Sequence, residues 1–210
     1  MPAEPVKLAG ALDGRQSRTA RSRLAICNAC LDLVQEGVLQ PSADQIAERS
    51  GVSRRSIFNH FGDLAELYDA VVEAGMERCA PLLTEIAAKG PVAERLAELV
   101  RVRTRFLEAT SAFTLSLTAQ VLVGPAGEQA LRVSRGAVAL QHEEIERLFG
   151  PDLHRSSASE RAEILEAMSN AISPLCWQSL RHNRGKSVVR ARAILHRSLR
   201  AILKDAGVDV

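Results

Sequence analysis

Apolar residues recur at helical spacing along almost the whole chain, and this periodicity is the feature that most constrains the fold. Near the N-terminus, Leu24, Cys27, Leu31 and Val34 lie at i, i+3, i+7 and i+10, which places them on one face of a helix expected from Ser17 to about residue 36. No segment alternates apolar and polar residues as a half-buried strand does. Aromatic residues make up only 3% of the chain, which is unfavourable for sheets. The pattern predicts an all-α protein.

Capping residues and glycines divide the N-terminal part of this pattern into short helices. Ser42 begins a capping-box sequence ahead of a helix predicted over residues 43–50. Gly51 follows where the chain needs a left-handed residue. Ser53 is placed to cap a helix over residues 54–61. A fourth helix is expected from Asp63, which forms a second capping-box sequence with Glu66.

The remaining helices are expected to be longer, because glycine and proline are further apart. They are predicted from Pro91 to about Ala109, from Ala112 to Val123, from Pro125 to Phe149, from Ser157 towards Arg184 with a kink at Pro174, and from Ser187 onwards.

Length and charge narrow the class of protein. The 210 residues suffice for one large domain or two small ones, and a net charge of +2 does not by itself indicate a nucleic-acid partner. No apolar run approaches the ~20 residues of a membrane span, and residues 1–15 lack the apolar core of a secretory signal. We therefore expect a cytoplasmic protein.

The cysteines are expected to be reduced thiols. Cys27 and Cys30 form a C-x-x-C pair, a spacing found in redox and zinc sites. Both lie within a helical pattern, and no second Cys or His pair follows at zinc spacing. Burial as small apolar side chains is therefore the favoured interpretation, and we expect no metal and no cofactor.

Residues 43–61 have the pattern of a helix-turn-helix. Such a unit needs a small residue where its helices approach, a glycine in the turn and apolar residues between the helices, and Ala47, Gly51 and Ile57 lie at the required spacing. The second helix of such a unit enters the major groove of DNA. Here that helix begins with Arg54 and Arg55, and arginine pairs with guanine through two hydrogen bonds.

The alternative for this segment is an ordinary helical hairpin with a solvated basic end. A neighbouring basic segment favours DNA, because phosphate contacts supply most non-specific affinity. Its arginines are Arg15, Arg18, Arg21 and Arg23.

Residues 44–73, DQIAERSGVSRRSIFNHFGDLAELYDAVVE, resemble the N-terminal domain of TetR-like transcriptional regulators. The residues that match the family pattern are Ile46, Ala47, Gly51, Val52, Ser53, His60, Phe61 and Leu67. Residues 18–37 also look like the first helix of this family. The rest of the chain is similar only in its helical character and its length.

The resemblance implies a homodimer whose N-terminal heads bind a palindromic operator and whose C-terminal helices hold a small-molecule pocket and the dimer interface. It also implies which residues contact DNA. They are Arg54, Arg55 and Asn59 at bases, Ser53, Ser56 and His60 at base edges or phosphates, and Thr19 or Ser22 at phosphate.

Two positions depart from the family pattern. Phe58 stands where a tyrosine often offers a hydroxyl to phosphate, and Leu64 stands where a lysine is usual. Each departure removes one expected phosphate contact, although amides at the start of the fourth helix can still bind phosphate. Leu64 also supports an alternative: a helical ligand- or partner-binding protein whose basic head no longer binds specific DNA.

The C-terminal helices carry three further sets of residues. Candidates to line a ligand pocket, with plain core packing as the alternative, are Phe106, Phe113, Gln120, Met168, Cys176 and Trp177. A basic run from Arg181 to Lys204 is interpreted as a solvated face with ion pairs to Glu160, Glu163 and Glu166. An apolar stripe broad enough for both core and dimer partner comprises Val188, Ala191, Leu195, Leu199 and Ile202.

The sequence thus predicts an N-terminal helix-turn-helix DNA-binding domain followed by a helical ligand-binding and dimerisation domain. The expected boundaries are 1–16 for a flexible basic arm, 17–62 for the DNA-binding domain, 63–80 for a connecting helix and 81–210 for the regulatory and dimerisation domain. The expected function is a sequence-specific regulator, a repressor that a small-molecule effector releases from its operator, associated with the nucleoid when bound to DNA. No phosphate loop, nucleophile elbow or H-E-x-x-H motif points to catalysis.

Overall fold

The computed structural model describes residues 14–123 and 127–210, and all its regular elements in these ranges are helical. They are α1 (Gly14–Gln35), α2 (Ala43–Ser50), α3 (Arg54–Phe61), α4 (Leu64–Cys79), α5 (Val92–Val123), α6 (Gly127–Phe149), α7 (Ala158–Ala171), α8 (Pro174–Gln178) and α9 (Val188–Asp205). Short 3-10 turns at Ala80–Leu82 and Gly150–Leu153 and a π-helical turn at Ser179–Asn183 complete them. The described residues are 81% helical, which confirms the all-α prediction.

Helices α1 to α4 pack around one apolar cluster and form what we call the head. Ile26, Ile46, Ile57, Phe61 and Leu67 are fully buried in this cluster. Each of the three helices after α1 is capped by the residue before it, through the side chains of Ser42, Ser53 and Asp63. The expected arm over residues 1–16 lies mostly outside the described residues, and α1 already includes residues 14–16.

Helices α5 to α9 pack around a second, larger cluster and form what we call the body. Its fully buried side chains include Leu96, Leu99, Ile145, Phe149 and Leu199. None of the helices in the described ranges is long and apolar enough to cross a membrane.

The prediction of two helices over residues 91–123 was wrong, because α5 continues without a break for 32 residues. No glycine or proline interrupts residues 109–112. The hydroxyl of Thr110 donates to the carbonyl of Phe106 at 2.8 Å, so this polar side chain is satisfied within the helix. The expected start of the next helix at Gly124–Pro125 lies outside the described residues.

The predicted kink at Pro174 is a break between two helices. Helix α7 ends at Ala171, and Pro174 occupies the first turn of α8, where proline is tolerated because its missing N–H has no helical partner. The hydroxyl of Ser173 accepts from the amide of Cys176 at 3.3 Å and caps the new helix.

The apolar stripe of α9 faces the body itself. Ala191, Leu195 and Leu199 are buried, and Val188 and Ile202 pack half-buried against the same cluster. The stripe thus packs in the core of the body, and its expected contact with a partner stays a prediction.

Candidate nucleic-acid interface

The turn between α2 and α3 sets the angle at which α3 is presented. Gly51 has a φ of +71°, a left-handed conformation that strains residues with a Cβ, and its amide donates to the carbonyl of Ala47 at 3.1 Å. Ser53 then caps α3, its hydroxyl accepting from the amide of Ser56 at 3.2 Å. Helix α3 thus starts at a defined place on the head.

Helix α3 has an inner and an outer face. Ile57 and Phe61 are fully buried in the head. Arg55 and Asn59 are exposed and lie one turn apart on the opposite side of the helix. The helix therefore presents one guanidinium and one carboxamide together on its outer face, the two groups best suited to read guanine and adenine.

Arg54 has a different environment. Its guanidinium lies 3.2 Å from the carboxylate of Asp44 on α2 and 5.9 Å from the ring centre of Phe58. Both members of the ion pair are largely exposed, so the pair is weak in water. Asp44 was not identified from the sequence as a partner of Arg54, because the contact depends on how α2 and α3 cross.

Arg23 contributes to the structure of the head as well as to its charge. Its guanidinium donates to the carbonyl of His60 and lies 4.1 Å from the ring centre of Phe61 and 3.7 Å from Glu66. It therefore joins α1 to α3 and α4. The sequence placed it among phosphate-binding arginines, since its charge was visible and its contacts were not.

The other predicted contact residues are near α3 but differ in accessibility. The hydroxyls of Ser53 and Ser56 lie 2.9 Å apart and take part in the cap. His60 is half-buried, with its ring edge-on to Phe61. On α1, Thr19 is exposed and Ser22 is half-buried.

The N-terminus of α4 is less open to phosphate than the sequence suggested. The carboxylate of Asp63 accepts from the amide of Glu66 at 2.8 Å, and Glu66 pairs with Arg23 on α1. The predicted capping box is therefore only half formed. Leu64 packs half-buried against the head cluster, so its side chain has a structural role.

Cys27 and Cys30 are buried in the head cluster. Burial raises the pKa of the Cys30 thiol to about 12, and it also raises the pKa of Cys27, an effect that the nearby Arg23 opposes. Both are thus uncharged at neutral pH. Within the described ranges, no three His, Cys, Asp or Glu side chains form a group that could hold a metal ion.

The structure separates the six candidate pocket residues. Met168 and Trp177 are buried in the body cluster, and Phe106 packs against the same cluster. Phe113 packs against the head cluster instead, and Gln120 is buried two turns further along α5. Cys176 is half-buried on α8.

Two open grooves flank α9. They have volumes of about 580 and 530 Å³, and neither is lined by any of the six candidate pocket residues.

The basic run from Arg181 to Lys204 is not paired as expected. Arg181 binds Glu108 on α5 at 2.8 Å. Among the described residues, no ion pair joins an arginine of α9 to the three acidic residues of α7. The interpretation of ion pairs between these two helices is therefore wrong.

A helix-turn-helix with a basic outer face, attached to a separate helical body, defines the class of a DNA-binding protein. Residues 33–71 match the family model of the tetR family of bacterial regulatory proteins. The chain is similar to a crystal structure of a tetR-family transcriptional regulator from Streptomyces coelicolor, with a TM-score of 0.69 and 18% sequence identity over 90% of this chain and 82% of that one. Compared with curated proteins, the chain has no match. The TetR-like resemblance of the N-terminal domain is confirmed, and the match supports a role as a DNA-binding regulator of transcription.

Proposed function

We propose that this regulator is a homodimeric repressor, which binds a palindromic operator through α3 and releases it when a small-molecule effector binds the body. The observation that carries the proposal is the outer face of α3, where Arg55 and Asn59 are exposed one turn apart. A face of this kind reads base edges in the major groove. We assign it no catalytic activity and propose that it acts on DNA in the cytoplasm.

The proposed division of labour has three parts, of which the connecting helix α4 packs in the head cluster through Leu67. Residues 17–62 bind DNA, residues 63–80 connect, and residues 81–210 regulate and dimerise. Within the head, Arg54 and His60 join Arg55 and Asn59 at bases or phosphates. Ser53, Ser56, Thr19 and Ser22 are assigned to the flanking backbone.

The dimer is proposed to use the exposed side of α9, since the apolar stripe is occupied within the body. On that side Ile194 is 38% exposed, and Ala201 lies exposed two turns further along. Leu175 of α8 is 60% exposed. A two-fold axis through such a surface gives the two symmetrically placed heads that a palindrome requires.

In a second candidate function, the head binds a partner molecule, or it binds DNA without sequence preference. The ion pair of Arg54 with Asp44 favours this second candidate. Arg54 would have to break the pair before it binds a base, which lowers its net contribution to the free energy of binding. Asp63 and Glu66 at the start of α4 favour it too, since they repel phosphate.

Selection of random duplexes by the full chain, followed by binding assays at fixed salt, separates the two candidates. The proposed function predicts an inverted repeat whose half-sites are centred ~34–36 Å apart or a multiple of that distance. An Asn59→Ala variant should lose its preference at one base pair in each half-site and fold normally. Enrichment of no sequence, or of a single half-site bound by a monomer, would contradict the proposal and favour the second candidate.

The repressor and effector parts need a separate measurement. A reporter gene downstream of the selected operator should be less active when the chain is present, and an activator would give the opposite result. For an effector with a coupling free energy of ~1–3 kcal/mol, operator affinity should fall ~5–150-fold, and operator DNA should weaken effector binding by the same factor. Calorimetric titrations of the effector with and without operator that give equal affinities would contradict release by that effector.

A further inference from the structure

One face of α5 rests on the head. Phe113 and Ser116 are one turn apart on this face. The ring of Phe113 fills the space beside Gly75 of α4, where a Cβ would come within 2.2 Å of the ring. The hydroxyl of Ser116 donates to the carbonyl of Leu39, between α1 and α2, at 2.7 Å.

Gln120 is on the same face of α5, seven residues beyond Phe113. The phenol of Tyr68 on α4 donates to the carbonyl of Pro41, two residues from the acceptor of Ser116. Helix α4 runs from Tyr68, beside the loop around residue 40, to Gly75, beside Phe113. Helix α5 runs from Phe113 to Ser116, beside the same loop, so the two helices are antiparallel here. Seven residues span ~10 Å of helix, so Gln120 lies about level with Tyr68 in the seam between the two helices.

The carboxamide of Gln120 has no protein partner. The side chain is only 2% exposed, and both its Nε2 and its Oε1 are buried without a hydrogen bond to any described residue. Two other buried glutamines are satisfied: Gln141 donates to the carbonyl of Ser169 at 2.7 Å, and Gln178 donates to the carbonyl of Ser111 at 2.8 Å.

A second polar atom on this level also lacks a hydrogen bond. Oδ1 of Asp69, the residue after Tyr68, is buried without a hydrogen bond, although Arg132 of α6 interacts with this carboxylate electrostatically. Buried polar groups are nearly always hydrogen-bonded in native proteins, because leaving them unpaired costs free energy. The buried carboxamide of Gln120, with both of its polar atoms unpaired where the head meets the body, therefore indicates a place that another molecule completes.

We propose that the seam between α4 and α5 at Gln120 is a binding site for a small neutral ligand with a hydrogen-bond donor and acceptor side by side. The edge of a lactam has this arrangement: its carbonyl accepts from Nε2 while its N–H donates to Oε1. Because Phe113 and Ser116 hold the same face of α5 against the head, a ligand that enters the seam changes how α5 sits on the head. This last step rests on the proposed function, since it makes the seam the site of effector release.

The test uses ε-caprolactam as the probe and N-methyl-ε-caprolactam, which lacks the N–H donor, as its control. Binding is measured on the full chain by calorimetry and by the shift in melting temperature. We expect the wild type to bind ε-caprolactam at least fivefold more tightly than the methylated control. Gln120→Leu should lose this preference, and Gln120→Met should do the same, which guards against a defect of shape in one variant.

Stability provides an independent readout. Gln120→Leu should leave the melting temperature unchanged or raised, because it removes an unpaired amide. The matched variant Gln141→Leu should lower the melting temperature, because it removes hydrogen bonds to Ser169. Equal affinity for the two probes, no binding at tens of millimolar, or a preference that survives in both Gln120 variants would overturn the site.

Operator binding is measured on the same samples to keep the two proposals distinguishable. If the lactam preference is present but the chain selects no DNA sequence, the proposed function fails and the site stands. If operator binding is intact and the lactam preference is absent, the site fails alone.

Discussion

The head and the body of this chain differ in the burial of their ion pairs: the ion pairs of the head are exposed, whereas the body buries the side chains of Arg95 and Arg103. In the head, the side chains of Ser42, Ser53 and Asp63 each cap a helix by accepting from an amide only three residues away. In the body, Arg95 is buried and binds Asp152 at 2.9 Å, 57 residues along the chain. Trp177 similarly donates to Glu108, 69 residues away.

This difference indicates in which region a substitution should mainly lower stability and in which region it should mainly weaken DNA recognition. Short helices with local caps bring a few side chains to a defined place, but they bury a small cluster. The body buries a larger cluster and several ion pairs, so its stability depends on groups that must meet from distant parts of the chain. We therefore expect the largest losses of folding from the body and the largest losses of recognition from the head.

The largest expected effect is on folding. Leu199 is fully buried in the body cluster, so Leu199→Asp places an unpaired charge in an apolar interior. We expect the free energy of unfolding to fall by more than ~4 kcal/mol, as measured by denaturant titration followed by circular dichroism.

The matched control is Ile194→Asp, which changes the exposed side of the same helix. It should alter the free energy of unfolding by only ~0.5 kcal/mol. Sedimentation should nevertheless show fewer dimers, because the substitution lies on the proposed interface. A cooperative fold in Leu199→Asp, or an unfolded Ile194→Asp, would contradict the orientation of α9.

The next effect concerns recognition by the head. Arg55→Ala should weaken operator binding by ~1–3 kcal/mol and relax the preference at one base pair in each half-site. Arg54→Ala should cost less, because Asp44 already binds this arginine in the free protein. Fluorescence anisotropy with operator and random duplexes measures both. Equal losses on both duplexes would mean that Arg55 contacts phosphate.

The accuracy of the sequence analysis follows the same division. The bounds of α2 and α3 and the role of Gly51 were predicted correctly, because caps and turns are determined by neighbouring residues. The continuity of α5, the break before Pro174 and the missing ion pairs of α9 were not, because packing decides them. The outward position of Arg55 and Asn59 agrees with the pattern, but their contact with DNA stays a prediction. The separation of Phe113 from Met168 needed the tertiary structure.

A smaller effect tests the contact between the two regions. Gly75→Ala brings a methyl group into the ring of Phe113, whereas Gly136→Ala in α6 adds a methyl group with no atom within 4 Å. Gly136→Ala should raise stability by ~0.5–1 kcal/mol, the usual gain from replacing a helical glycine. Gly75→Ala should be less stable than this control by ~1–3 kcal/mol, because overpacking displaces the ring. Equal melting temperatures would show that the ring moves away freely.

The smallest expected effect comes from an ion pair of the body, whose contribution to stability has a defined pH dependence. The guanidinium of Arg181 lowers the pKa of Glu108, and a hydrogen bond from Trp177 lowers it further, while partial burial opposes both. Because the folded pKa is below the unfolded one, the stabilisation is fully present above the unfolded value near ~4.3 and is lost as the pH falls through the folded value.

Glu108→Gln retains an acceptor for the indole N–H but removes the charge. The pair is partly exposed, so the substitution should lower the free energy of unfolding by no more than ~1 kcal/mol at pH 7. This difference should shrink as both proteins are unfolded at successively lower pH, and operator binding at pH 7 should be unchanged because the pair lies within the body. A difference that grows towards low pH would contradict the lowered pKa, and a loss of operator binding would show that the two regions are coupled through this pair.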